Sequence, residues 1–166
     1  MRKLWINIIL FLLFITEGTV FQFITPDYYG SDITIVPRFV LAAIVYLSIF
    51  RNQQYALWLG IVFGMLYDVV YGDVFGVYTI AMGTVGYFSG WLTLFFHPTL
   101  TFFTLIELLS FVFFEFFIFS VQNLYQLVTI PANFSIIYVI IPSILFNLIF
   151  AFLIYIPLQF KIEGRD

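Results

Sequence analysis

Six apolar runs, each about as long as a bilayer is thick, divide this chain. A helix needs roughly 20 mostly apolar residues to cross a hydrocarbon core about 30 Å deep. The runs are Leu4–Phe23, Ile35–Phe50, Tyr55–Tyr71, Val74–Phe96, Leu100–Val121 and Ile136–Phe160. The breaks between them carry turn residues: Thr25-Pro26-Asp27, Arg51-Asn52-Gln53-Gln54, Gly72-Asp73, His97-Pro98, and the polar stretch from Gln122 to Ser135. Gly72-Asp73 is so short that its flanking helices are expected to be antiparallel neighbours. Pro37 is expected in the first turn of the second helix, where its missing N–H is not needed. The runs are too long for membrane β-strands and do not alternate.

Charge supports the same class. Only 9% of the 166 residues are charged, against about 25% in a soluble domain. The reading is an all-α integral membrane protein, one transmembrane domain over 1–166 with six crossings. Arg2 and Lys3 precede the first run, Arg51 follows the second, and Lys161 and Arg165 follow the sixth. Six crossings put all five on one side, and the excess of Lys and Arg marks the cytoplasm. Both termini are therefore expected inside the cell, with Asp27, Asp32 and Asp73 outside. Trp5, Trp58 and Trp91 fall toward the cytoplasmic interface, where indole is favoured. The first run is too long for the core of a signal peptide and lacks a small-residue cleavage site, so it reads as an uncleaved span.

Several functions are disfavoured. There is no cysteine and a single histidine, His97, so no thiolate or multi-histidine metal site is expected, and no cofactor. No basic stripe points to nucleic acid. Phosphate-binding loops, nucleophile elbows and zinc motifs are absent from the sequence, and the chain is not expected to be an enzyme.

Ionisable groups inside spans are costly and mark sites by default. Glu17, Asp68 and Glu115 lie late in outward-running helices, and Arg38 lies early in an inward-running one. All four are expected at one depth, in the outer half of the bilayer, as a charge cluster around Arg38. Such a cluster either fixes helix order or forms a polar site. Glu107, two turns before Glu115, is expected nearer the interface.

A glycine ladder is the second unusual feature. Gly60, Gly64, Asp68, Gly72 and Gly76 recur every four residues, and Gly86 and Gly90 repeat the spacing. Small residues at i and i+4 let helices approach closely in lipid. Intramolecular packing is the favoured reading of this face, with a partner interface or homodimer contact as the alternative. Gly72 and Gly76 are better placed to serve the turn.

The ladder G-x3-G-x3-D-x3-G-x3-G, within LGIVFGMLYDVVYGDVFGVYTIAMG, resembles the signature region of the MreD family of bacterial rod shape-determining membrane proteins. The segments FLLFITEGTVFQF, with Glu17, and IVPRFVLAAIVYLSIF, with Pro37 and Arg38, are similar as well. The resemblance covers essentially the whole chain. It implies a multi-pass protein of the bacterial cell membrane that acts as a non-enzymatic scaffold in peptidoglycan elongation. The implied direct partner is MreC, a single-span coiled-coil protein. The actin-like MreB, the glycosyltransferase RodA and a class B penicillin-binding protein belong to the implied complex, with membrane lipids around it. The family is also similar in fold to the S-components of energy-coupling-factor transporters. That makes a small-molecule-binding transporter subunit the alternative function.

Overall fold

All regular structure among the described residues is helical, as an apolar chain in lipid must be if its backbone groups are to be satisfied internally. The computed structural model describes residues 2–19, 32–127 and 132–163, with side chains at 4–19, 32–127 and 134–155. The elements are α1 (Arg2–Thr19), α2 (Phe39–Phe50), α3 (Gln53–Tyr71), α4 (Val77–Trp91), α5 (Leu100–Leu124), α6 (Ala132–Ser135) and α7 (Ile141–Glu163). A 3-10 turn, Leu92–Leu94, continues α4, and a π turn, Ile136–Ile140, joins α6 to α7 in one rod over 132–163. The expected turn at Thr25-Pro26-Asp27, the last residues of the first run, Pro131 and Arg165 lie outside the described residues.

Three helices, Gln53–Tyr71, Leu100–Leu124 and Ile136–Tyr155, are long and apolar enough to cross a membrane. Leu4–Thr19 and Phe39–Phe50 are apolar but shorter. Several bounds differ from those read in the sequence. The helix expected from Val74 starts at Val77, because residues 72–76 are spent on the turn and Gly76 sits at φ 97°, a left-handed conformation open to glycine. In the other direction, α3 starts two residues early because Asn52 caps it. The Asn52 side chain accepts from Gln54 N at 2.8 Å and Tyr55 N at 3.1 Å.

The largest difference is at Pro37. It does not open a helix: residues 33–38 are non-helical and α2 begins at Phe39. A proline disfavours helical geometry in the residue before it, here Val36. The N–H groups of Thr34, Val36 and Arg38 all turn toward the 132–163 rod, the alternation of an extended chain. Pro142 helps to receive them. Having no N–H, it leaves the Tyr138 carbonyl without its helical donor, and Thr34 N donates to that oxygen at 2.9 Å.

α2 is the central helix, in contact with α1, α3, α4, α5 and α7. Its sequence, FVLAAIVYLSIF, is apolar all round, as a helix enclosed on every side requires. Val40, Leu41, Ile44 and Val45 are wholly buried. Around it the odd-numbered helices α1, α3 and α5 run one way, and α2, α4 and the rod run back. The C-terminal ends of the first set and the N-terminal ends of the second therefore meet at one end of the bundle.

Candidate functional site

At that end lies a cavity of about 540 Å³. Each surrounding element contributes to it: Glu17 from α1, Arg38 from the segment before α2, Tyr67 and Tyr71 from α3, Tyr78 from α4, and Glu115 from α5. Thus Glu17, Arg38 and Glu115, placed at one depth by the sequence, line one space. Arg38 Nε donates to Glu115 Oε1 at 2.9 Å, and both side chains are buried. The guanidinium carbon also stands 5.0 Å from the Phe114 ring centroid and 5.7 Å from that of Tyr78, within cation–π range. Glu17 does not form an ion pair with Arg38. Its Oε2 accepts from the Val40 backbone N–H, in the first turn of α2, at 3.3 Å.

The backbone at Arg38 is held from the opposite side. Asn147 Oδ1 accepts from Arg38 N at 2.7 Å, and Asn147 Nδ2 donates to Val36 O at 2.9 Å. One carboxamide thereby grips the chain on both flanks of Pro37. Ser143, one turn earlier on α7, accepts from Val36 N at 2.9 Å. These two side chains satisfy backbone groups that an extended segment in an apolar setting cannot satisfy itself.

Asp68 stands apart from the charge cluster in which the sequence placed it. Its carboxylate accepts from Tyr78 N at 2.8 Å, from Thr79 N at 3.1 Å and from the Thr79 hydroxyl. Those are first-turn groups of α4, so Asp68 serves as a cap donated by the preceding helix, and the negative charge suits a helix N-terminus. Its effect on the cavity is indirect: it fixes Tyr78, which lines the wall. Glu107 is fully buried within the bundle, and neither carboxyl oxygen has a hydrogen-bond partner among the described residues. It does not line the cavity.

The family model for the rod shape-determining protein MreD matches residues 1–161, nearly the entire chain. The chain belongs to the MreD family. The rod shape-determining protein MreD of Bacillus subtilis (strain 168) is 26% identical over 171 residues, covering 100% of this chain and 99% of that protein. No solved structure matches the chain, and the S-component likeness stays an expectation.

In this MreD-family chain the glycine ladder is occupied internally. A methyl group at Gly60 would strike the Met82 carbonyl, and one at Gly64 would strike the Thr79 backbone. α3 and α4 therefore touch backbone to backbone. Further along α4, a Cβ at Gly86 would lie 2.7 Å from Ala56 O of α3, and one at Gly90 would lie 2.6 Å from Ser48 Oγ of α2. The Ser48 hydroxyl donates to Gly86 O, tying α2 to α4. Gly72 ends α3, its N–H bonded to Asp68 O at 3.2 Å, and Gly76 precedes α4. Met82, Thr79 and Ala56 already fill the space that an outside helix would need.

Sequence reasoning passed over Asn147 and the three cavity tyrosines. Asn147 was findable: it is a carboxamide deep in an apolar run, and polar groups there require a partner. The tyrosines gave no comparable signal in a chain with 11 tyrosines and 24 phenylalanines.

Proposed function

We propose that this chain helps to determine rod shape as a non-enzymatic membrane scaffold of the peptidoglycan elongation complex. MreC is its direct partner, and MreB, RodA and a class B penicillin-binding protein belong to the same assembly. The observation that carries the reading is the MreD family match over residues 1–161. The site is compatible with it. Arg38, Glu115, Asp68 and Asn147 spend their hydrogen bonds on holding helices and backbone, which is structural work. Partner spans dock on outward apolar faces such as that of α1, where Leu4, Trp5, Ile8 and Leu12 are exposed. The glycine face has no room for them.

The chain lies in the cell membrane with six crossings and both termini in the cytoplasm. The alternating direction of the helices fits an even number of crossings. Trp5, Trp58 and Trp91 are all exposed near the end opposite the cavity, where an interfacial belt would sit. In this arrangement residues 33–38 begin the second crossing and the short α2 completes it. The test is rescue of shape: a rod-shaped host depleted of its own MreD should stay rod-shaped when this chain is supplied. Rounded cells despite normal membrane levels of the chain would refute the role.

A second reading, a small-molecule-binding subunit of a transporter, is favoured by one observation, the cavity of about 540 Å³ with charged residues in its wall. Copurification with a transport ATPase pair rather than MreC would select it.

A further inference from the structure

The cavity has a lining of definable chemistry, whichever proteins the chain assembles with. Its volume falls within the range of about 300–1,000 Å³ typical of small-ligand pockets. Its described lining holds two carboxylates, Glu17 and Glu115, and one cation, Arg38. The Arg38–Glu115 pair is internally matched: a 2.9 Å contact, with Phe114 and Tyr78 rings against the guanidinium. Glu17 is the second acid beside a single cation. It is 7% exposed and lines the cavity, where its Oε2 accepts from the Val40 N–H at 3.3 Å and the Arg38 charge and the neighbouring Tyr67 side chain also act on it. That distance exceeds the usual 2.9–3.0 Å for such a bond, and Arg38, already paired with Glu115, cannot neutralise both carboxylates.

The wall beside Glu17 is aromatic. Tyr67 lies 5.5 Å from Tyr71 and 5.9 Å from Tyr78, centroid to centroid, and all three line the cavity. The next residue in the chain, Gly18, makes this arrangement fit. A Cβ there would overlap the Tyr71 hydroxyl, so any other residue would push Tyr71 away from its place. An acid next to several tyrosine rings is the combination that recognises an organic ammonium group: the carboxylate supplies the counter-charge and the ring faces supply cation–π attraction. An anion would meet one carboxylate more than there are cations.

We propose that this cavity binds an ammonium-bearing ligand, with Glu17 as its counter-ion and Tyr67 and Tyr71 as its aromatic wall. The ammonium comes either from a free small amine or from a lipid headgroup.

The test uses the full chain purified in nonionic detergent, with ethanolamine hydrochloride and choline chloride as probes. Sodium chloride and sodium acetate at equal ionic strength are the controls. A saturable rise in melting temperature is expected with at least one ammonium probe and with neither control. Glu17→Gln, whose carboxamide can still accept from Val40 N, should weaken that binding at least tenfold. Tyr71→Leu, at a partly exposed position, should weaken it several-fold and serves if Glu17→Gln is poorly folded. No saturable response, equal binding by folded Glu17→Gln, or a response to acetate alone would overturn the proposal. Repeating the titration in nanodiscs decides the source. Competition by phosphatidylethanolamine but not phosphatidylglycerol supports the headgroup, and unchanged ethanolamine binding in both supports a free amine. Because no MreC is present in these titrations, their failure would leave the scaffold reading standing.

Discussion

Arg38 and Asn147 are joined by a 2.7 Å hydrogen bond from backbone N–H to side-chain oxygen, 109 residues apart in the chain. The same carboxamide donates to Val36 O, so it closes around Pro37. This clamp allows a non-helical segment to lie inside an apolar bundle. It also sets where the Arg38 side chain emerges, and hence the ion pair with Glu115.

Asn147→Leu should leave the Arg38 N–H and the Val36 carbonyl without partners. Each buried unsatisfied group costs about 1–3 kcal/mol, although partners found in the membrane-unfolded state reduce such losses. A clear fall in melting temperature is expected. Asn147→Asp should fall between, since it accepts from Arg38 N but cannot donate to Val36 O. Equal melting of all three proteins would rule the clamp out.

Glu115→Leu should be more damaging than the loss of both charges together. Removing one partner of a buried ion pair strands the other, at a cost of about 3–5 kcal/mol, whereas apolar replacement of both is often near neutral. The double variant Arg38→Met/Glu115→Leu is therefore expected to melt above Glu115→Leu. The opposite order would mean that the pair is not coupled.

Asp68 acts as a cap, so its charge is secondary to its acceptors. Asp68→Ala should cost about 1–2 kcal/mol, in the range of a lost helix cap. Asp68→Asn keeps one acceptor oxygen and should lose less. In cells Asp68→Asn is expected to preserve rod shape. Loss of shape with Asp68→Asn at normal stability and membrane level would point instead to a requirement for the carboxylate itself.

Two glycines on facing helices should respond differently to alanine. At Gly60 the added methyl meets the Met82 and Gly83 backbone, which cannot move without parting α3 from α4. Overpacking of this kind costs about 1–3 kcal/mol. At Gly83 the nearest neighbour is a side-chain atom, Ile61 Cγ1 at 3.2 Å, which need give by only a few tenths of an ångström, and alanine brings up to about 1 kcal/mol of helix propensity. Melting temperatures of the purified variants check the contrast.

The helical class was legible because lipid permits few alternatives and the apolar runs are long. The meeting of Glu17, Arg38 and Glu115 was legible from depth alone, since alternating helix direction brings late residues of odd helices beside early residues of even ones. Asp68 shares that depth yet points elsewhere, because the tight turn after Tyr71 brings the bare amides of α4 within its reach. Depth in the bilayer says nothing about that direction. The start of α2 was hidden because Ile35, Val36 and Pro37 read equally well as an apolar helix entry and as an extended strand. Only Ser143 and Asn147, more than a hundred residues away, decide between the two. The glycine spacing announced close packing, and which helix fills the gap emerged only from Met82 and Thr79 lying against Gly60 and Gly64.

The most direct measurement is recovery of partners. The chain, tagged at its C-terminus, would be drawn from native membranes in mild detergent, beside a version carrying polar substitutions at the exposed α1 residues Ile8 and Leu12. The scaffold account predicts that MreC copurifies with the unaltered chain and is depleted from the α1 variant at equal expression. Recovery of a transport ATPase pair in place of MreC would contradict it.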